Sequence, residues 1–174
     1  MVGVVPASLV LVEGESDRTA LVTLAARLGH DLTGVDVVSM GGITNLRRHL
    51  SEVPEHDQVA LLHDAGESSY VDRTLADHPG RVAPFVCVAD LEDELVRALG
   101  MDRVLEVVEA GGDLDAWHIL LNQPYHRGRP EDLVLRRFWG TTSGRKEKYA
   151  ALLAAALEPA AVPAPLAGVL TAVL

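Results

Sequence analysis

Leu9-Val10-Leu11-Val12-Glu13-Gly14-Glu15-Ser16-Asp17 is the stretch that decides how this chain is read. An unbroken apolar run of strand type ends in a carboxylate and a glycine, and a helix-periodic segment begins at once. In parallel α/β sheets, sites form beyond the carboxyl ends of the strands. An acidic residue at that point is expected to bind a cation or act as a base. Its ordinary structural use is to cap the helix that follows. Capping accounts well for Glu15 and Asp17 and less well for Glu13, which directly ends the apolar run. With a helix starting near Glu15, Glu13 and Asp17 can face the same point.

Two further strand-like runs end the same way. Val59-Ala60-Leu61-Leu62-His63 leads into Asp64, and Phe85-Val86-Cys87-Val88-Ala89 leads into Asp90-Leu91-Glu92. Three strand tips bearing carboxylates predict one acidic, metal-binding cluster that includes Glu13, Asp64 and Glu92. Asp64 alone, with Gly66 nearby, also reads as a turn former. Asp90-Leu91-Glu92-Asp93-Glu94 packs four acids into five positions. One of them suffices as a cap, and mutual repulsion raises the pKa values of the rest unless a cation is present. Oxygen-rich sites of this type suit Mg²⁺ or Mn²⁺.

Between these tips the pattern alternates. Strands are predicted over about 7–13, 35–40, 58–63 and 83–89, and helices over about 17–29, 45–53 and 70–77. Leu21, Leu24, Ala25 and Leu28 give the first helix its apolar face, and Gly29 its stop. The order implies an α/β fold: about four parallel strands with right-handed crossovers, flanked by helices. From Leu91 on the chain reads as helical, over about 91–99, 101–110, 113–122, 130–139 and 144–157. A small apolar tail, Leu166 to Leu174, is expected to pack as a last helix or to meet a second copy in a homodimer. The expectation is one domain over 1–174, with a βα core over about 7–100 and a helical extension over about 101–174.

The chain has 174 residues, 48% of them hydrophobic, which is enough for a packed core. No apolar run reaches the roughly 18–20 residues that span a bilayer, and the first residues lack a basic signal-peptide region. A cytoplasmic location without membrane attachment is expected. The lone cysteine, Cys87, lies inside an apolar run and reads as a buried, inert thiol. There is no Cys pair and no His-Glu-x-x-His, which argues against zinc, and His30, His49, His56 and His78 follow no ligand pattern. His63, beside Asp64, reads either as packing or as reaching a metal or phosphate. Gly41-Gly42, between a strand and a helix, is a short candidate phosphate turn. No Walker motif is present.

A net charge of -10 opposes tight binding to DNA over the whole surface. The charge is unevenly spread, however. Arg127, Arg129, Arg136, Arg137, Arg145, Lys146 and Lys148 make up seven of the 15 basic residues, and include both lysines of the chain. An acidic body with one basic segment fits an anionic polymer held beside a metal site, and equally fits a solvated helix face.

The order of these features resembles the TOPRIM domain, the catalytic domain shared by topoisomerases, bacterial primases and OLD-family (overcoming lysogenization defect) nucleases. Leu11-Val12-Glu13-Gly14 matches the family's first element, and Val12 to Asp17 looks most like the OLD branch. The resemblance covers roughly residues 7–157. It implies a Rossmann-like TOPRIM fold and a metal site to which Asp17 adds a second acid. Asp90 and Glu92 become a further acidic pair, and a lysine precedes a late Ala/Leu-rich helix. Lys146 is the best match for that lysine and Lys148 the alternative. One departure stands out. The family's Asp-x-Asp reads Asp64-Ala65-Gly66 here, so the second carboxylate is missing and Glu67 is the nearest substitute.

Together these readings predict a DNA endonuclease. Glu13, Asp17, Asp64, Asp90 and Glu92 would hold one or two Mg²⁺ or Mn²⁺ ions, with Glu13, Asp64 and Lys146 as the catalytic residues. Arg136, Arg137, Arg145 and Lys148 would grip the nucleic acid. The ATPase part of full-length OLD proteins has no counterpart in this sequence, so the chain reads as a stand-alone nuclease domain, as the partner of a separate ATPase subunit, or as a piece of a longer protein. The alternative is a degenerate TOPRIM-like module that binds nucleic acid or a protein without cleaving. A small-molecule phosphatase or nucleotide-binding protein is weakened by the lack of a glycine-rich phosphate loop.

Overall fold

The computed structural model describes residues 8–52, 58–78 and 80–174. Ala7 at the start of the first expected strand, Val53 at the end of the second expected helix, and His56 lie outside them.

Strands β1 (Ser8–Val12), β2 (Val35–Ser39), β3 (Gln58–Asp64) and β4 (Val82–Cys87) form one parallel sheet in the order β2-β1-β3-β4. Every residue of β1 is buried, because both faces of the sheet are covered. On one face Val10, Val12, Ala60 and Leu62 belong to the larger core; on the other Leu9, Leu11 and Leu61 meet Ile43, Leu46, Leu50 and Val71. Helix α1 (Glu15–Arg27) follows β1, and Gly29, with a φ of 74°, turns the chain away beyond it.

Several bounds differ from expectation for local reasons. Helix α1 begins at Glu15, two residues before the expected 17, with Gly14 in the N-cap position. The next two helices, α2 (Leu46–Glu52) and α3 (Ser68–Ala76), are each entered through a 3-10 turn, Ile43–Asn45 and Ala65–Glu67. Strand β4 stops at Cys87, where the Val88 N–H turns to donate to Glu94 Oε1 at 2.8 Å.

Helices α4 (Leu91–Leu99), α5 (Met101–Ala110), α6 (Leu114–Leu121), α7 (Glu131–Trp139), α8 (Arg145–Ala156) and α9 (Ala164–Val173) make up the second half. An aromatic cluster ties them together. Trp117 meets Phe138 edge-on at 5.4 Å, and Trp139 lies 4.9 Å from Tyr149. Helix α9 packs on β3 and β4, where Gly168 lets the backbone come against the Phe85 ring. The apolar tail therefore serves this chain's own sheet. Helix α8 lies along α1. Thr19 donates to Glu147 Oε1 at 3.3 Å and Arg27 Nε to the Ala155 carbonyl at 3.2 Å, so both contacts span the same 128 residues. A constant offset means that the two helices run parallel, with their N-termini at the same end. Among the described residues no helix is long and apolar enough to cross a membrane.

Candidate functional site

The chain passes from β1 outward to β2, then returns to β3 on the other side of β1. This reversal leaves a crevice beyond the carboxyl ends of β1 and β3, the switch point at which open α/β sheets place ligands. Glu13 follows β1 and Asp64 closes β3. The register Leu11 to Leu61, continued by two residues, sets Glu13 level with His63. Asp64 in turn pairs with Cys87 of β4, three residues before Asp90.

Four carboxylates surround Asp64. Burial first, then the charges of Glu13, Asp17, Asp90 and Glu92, push its pKa up to about 7. Burial, Asp17 and Glu67 raise Glu13, while Lys146 and His63 pull it back. Burial raises Asp17 as well, against a hydrogen bond from the Gly14 N–H to Oδ2 at 2.8 Å. Glu92 is raised by burial and held down by Lys146, whose Nζ lies 3.4 Å from Oε2. Its Oε1 is buried with no hydrogen-bond partner. Lys146, in the first turn of α8, reaches the crevice because α8 runs parallel to α1. Against the desolvation of partial burial, Glu92, Asp17 and Asp90 hold its ammonium above the usual lysine range.

The acids share one field without converging on one point. Among the described residues no three His, Cys, Asp or Glu side chains stand close enough to hold a single ion as they are. Three of the acids have local ties that keep them apart from the others. Asp17 accepts from Gly14, Asp90 caps α4 by accepting from the Asp93 N–H at 2.8 Å, and Glu92 faces Lys146. The donor set still fits a hard divalent cation. It consists of carboxylate oxygens, it carries unbalanced negative charge, and Glu92 offers a buried oxygen without a partner.

Other expected participants are placed differently. Half of the run Asp90 to Glu94 is neutralised away from the crevice. Asp93 and Glu94 each pair with Arg97 at 2.8 Å, since i+3 and i+4 share a helix face. Arg136, half exposed, lies 3.7 Å from Asp93, and Arg137 is exposed. Arg145, expected to grip nucleic acid, is turned inward: only 10% of its side chain is exposed, it pairs with Asp113 at 3.2 Å and it lies over the Phe138 ring. Lys148 also goes to Asp113, at 2.8 Å, and to the Gly111 carbonyl at 2.6 Å. Between the two lysines, Lys146 is the one at the crevice. Asp113 escaped the sequence reading, since nothing in its neighbourhood marks it as the hub for Arg145, Lys148 and the Tyr149 hydroxyl.

Gly42 spends its N–H on the Glu13 carbonyl at 2.9 Å, which removes it as a phosphate donor and fixes the loop after β1. His63 is buried and its Nδ1–H donates to the Asp64 carbonyl at 2.9 Å, a packing role beside the acids. Burial pushes the Cys87 thiol up, as expected of an inert cysteine.

Residues 7–53 match the family model described as "Overcoming lysogenization defect protein-like, TOPRIM domain". The C-terminal region of the Burkholderia pseudomallei OLD protein superposes with a TM-score of 0.70 at 18% identity, covering 97% of each chain. Two structures of the C-terminal region of the Xanthomonas campestris pv. campestris OLD protein are similar to it as well. One gives a TM-score of 0.65 at 24% identity, over 96% of this chain and 93% of that one. The other gives 0.64 at 25%, over 96% and 94%. Comparison with curated proteins finds no match.

Proposed function

We propose that this chain, an OLD-like TOPRIM domain in its fold, is a nuclease that hydrolyses DNA phosphodiester bonds with one or two Mg²⁺ or Mn²⁺ ions. The observation that carries the reading is the acidic crevice at the switch point. Asp64 is hemmed in by Glu13, Asp17, Asp90 and Glu92, with a buried Glu92 oxygen left unpartnered. OLD-type TOPRIM domains are associated with nuclease activity, which agrees with it.

Glu13, Asp17, Asp64, Asp90 and Glu92 are the residues that would hold the ions. When bound, such a cation supplies water activation and stabilises the charge of an in-line displacement at phosphorus. Lys146 adds a positive charge at the mouth of the crevice, where it offsets the negative charge gathering on the phosphate oxygens. Lys146 pairs with Glu92 at 3.4 Å, which limits repulsion among the carboxylates. The N-termini of α1 and α8 lie at the same end as the crevice and favour anions there. Arg136 and Arg137 hold flanking phosphates from outside, whereas Arg145 and Lys148 brace the basic segment through Asp113.

The matched structures are C-terminal regions of OLD proteins, and an ATPase, on a separate chain or on a longer form of this one, is the partner this reading expects. Gly66 favours a second reading, a module that binds DNA without cutting it. Purified protein incubated with supercoiled, linear and single-stranded DNA, with Mn²⁺, Mg²⁺ or chelator, separates the two. Cleavage that chelator abolishes supports the nuclease. Retained binding without cleavage in either metal overturns it in favour of the second reading.

A further inference from the structure

The turn between α6 and α7 presents an aromatic ring and two guanidinium groups to solvent, those of Tyr125, Arg127 and Arg129. It is a built turn. His126 and Arg127 both donate their N–H to the Gln123 carbonyl, at 2.9 and 3.2 Å, and Arg129 donates its N–H to the His126 carbonyl at 3.1 Å. His126 is buried, and its neighbours Tyr125 and Arg127 are exposed. The Tyr125 ring meets the His126 ring edge-on at 5.0 Å, and the Arg129 guanidinium lies 3.9 Å from its centroid. A large aromatic side chain is thus held outside the core, 68% exposed, between a buried imidazole and an arginine.

The arginines of the turn stand apart from the other basic residues. The chain has 25 acids to 15 Lys and Arg, and Arg97, Arg136 and Arg145 each meet a carboxylate. Arg127 Nε donates to the Asn122 carbonyl at 3.2 Å and Arg129 lies on the Tyr125 ring. Among the described residues neither pairs with an acid, although Glu131 and Asp132 open the next helix. Helix α7 then joins this turn to the crevice. Its far end adjoins the start of α8, where Arg145 Nη1 donates to the Phe138 carbonyl at 3.4 Å and Lys146 follows. Leu133, Arg136 and Arg137 are exposed at i, i+3 and i+4, one face of α7. Arg136 comes to 3.7 Å from Asp93, whose N–H bonds to Asp90. From the turn to Arg136 is on the order of 10 Å along the helix, the rise of about three stacked nucleotides.

We propose that Tyr125 and Arg129 form a stacking site for an unpaired base, on a single strand whose phosphates pass along α7 to the crevice. This rests on the DNA-cleaving reading above. Every base has a face on which a tyrosine ring can stack, so the contact tolerates any sequence, and the guanidinium groups add contacts to phosphate. The ring and Arg129 are already stacked without a ligand, so little order has to be imposed on binding. Tyrosine and arginine also serve protein interfaces, but two cations without acid partners on a chain of net charge -10 favour a polyanion.

The test is a titration of a short single-stranded oligonucleotide carrying 2-aminopurine, a fluorescent adenine analogue that stacking quenches. Wild-type chain, Tyr125→Ala and Tyr125→Phe are compared in Ca²⁺, with a duplex of the same sequence alongside, gels to verify intact strands, and melts of each protein. The wild-type chain is expected to bind the single strand and quench the probe. Tyr125→Ala is expected to bind it about 10-fold or more weakly and to lose the quench, with duplex affinity and melting temperature unchanged. Tyr125→Phe keeps the ring and is expected to keep both. Wild-type binding and quenching in Tyr125→Ala overturn the site and make the patch a protein contact. Equal losses on single strand and duplex, or a lowered melting temperature that accounts for the loss, assign Tyr125 to holding the turn and also overturn it. So does a wild-type chain that binds no single strand. Quenching that depends on Tyr125, in a chain that cuts no DNA in Mn²⁺ or Mg²⁺, supports the site and overturns the nuclease alone. Cleavage without such quenching does the reverse.

Discussion

Glu13 ends β1 among negative neighbours, with its carboxyl held above the usual range by burial, Asp17 and Glu67. Glu13→Gln keeps the shape of the side chain and removes one charge from a repulsive group. Metal-dependent cleavage is expected to fall to background while the metal-free melting temperature stays the same or rises. Gel assays with Mn²⁺ and a thermal melt check this, and full activity in a pure sample refutes it. The lysines separate just as cleanly. Lys146 sits 3.4 Å from Glu92, while Lys148 is 2.8 Å from Asp113. Lys146→Ala is expected to slow cleavage by on the order of 100-fold with DNA affinity little changed. Lys148→Ala is expected to cost about 1 kcal/mol of stability with the cleavage rate retained. The reverse pattern in single-turnover kinetics and denaturant unfolding would exchange their roles. At this scale the sequence was legible where a carboxylate directly ends an apolar run, as at Glu13 and Asp64. It was ambiguous at Asp17 and Asp90, which both cap a helix and stand in the acidic field. It was misleading at Arg145, because exposure of a charged side chain depends on a partner 32 residues away.

Elements were legible wherever hydrophobic period and turn residues agreed. The four strands and the helices α4 and α5 follow directly from those signals. The 3-10 turns did not, since three residues carry no period of their own. The apolar tail shows the other limit. Its residues predict a helix without saying whether it meets this sheet or a second copy. Helix α9 lies on β3 and β4, and a Cβ on Gly168 would come within 2.5 Å of the Phe85 ring. Gly168→Ala is therefore expected to destabilise the fold by about 1–3 kcal/mol through overpacking, although alanine is the better helix former. Denaturant unfolding measures this, and a variant more stable than the wild type would show that α9 does not press on the sheet.

The whole molecule carries a net charge of -10 and gathers five of its acids at one end of the sheet, so its stability is expected to depend on pH. Asp64 is lifted from 3.8 to about 7, so the folded, metal-free protein keeps a proton that the unfolded chain gives up. Stability is then fully present below about pH 4 for this group and declines as pH rises toward 7. Solvent screening of a half-exposed carboxylate limits the effect to on the order of 1 kcal/mol. Melts in chelator are expected to show a lower melting temperature at about pH 8 than at about pH 5, with a flatter slope in Asp64→Asn. Saturating Mn²⁺ should erase the loss, because it takes the place of the proton. A metal-free melting temperature that rises over that interval contradicts the assignment. By itself the sequence determined the parallel α/β fold and the acids at its strand tips, because buried strands need continuous apolar runs and a charge must wait until such a run ends. Only the tertiary structure decided which basic residues meet those acids. The parallel packing of α8 on α1 delivers Lys146 to the crevice while Asp113 draws Arg145 and Lys148 away, and neither contact leaves a local signal because both join residues far apart in the chain.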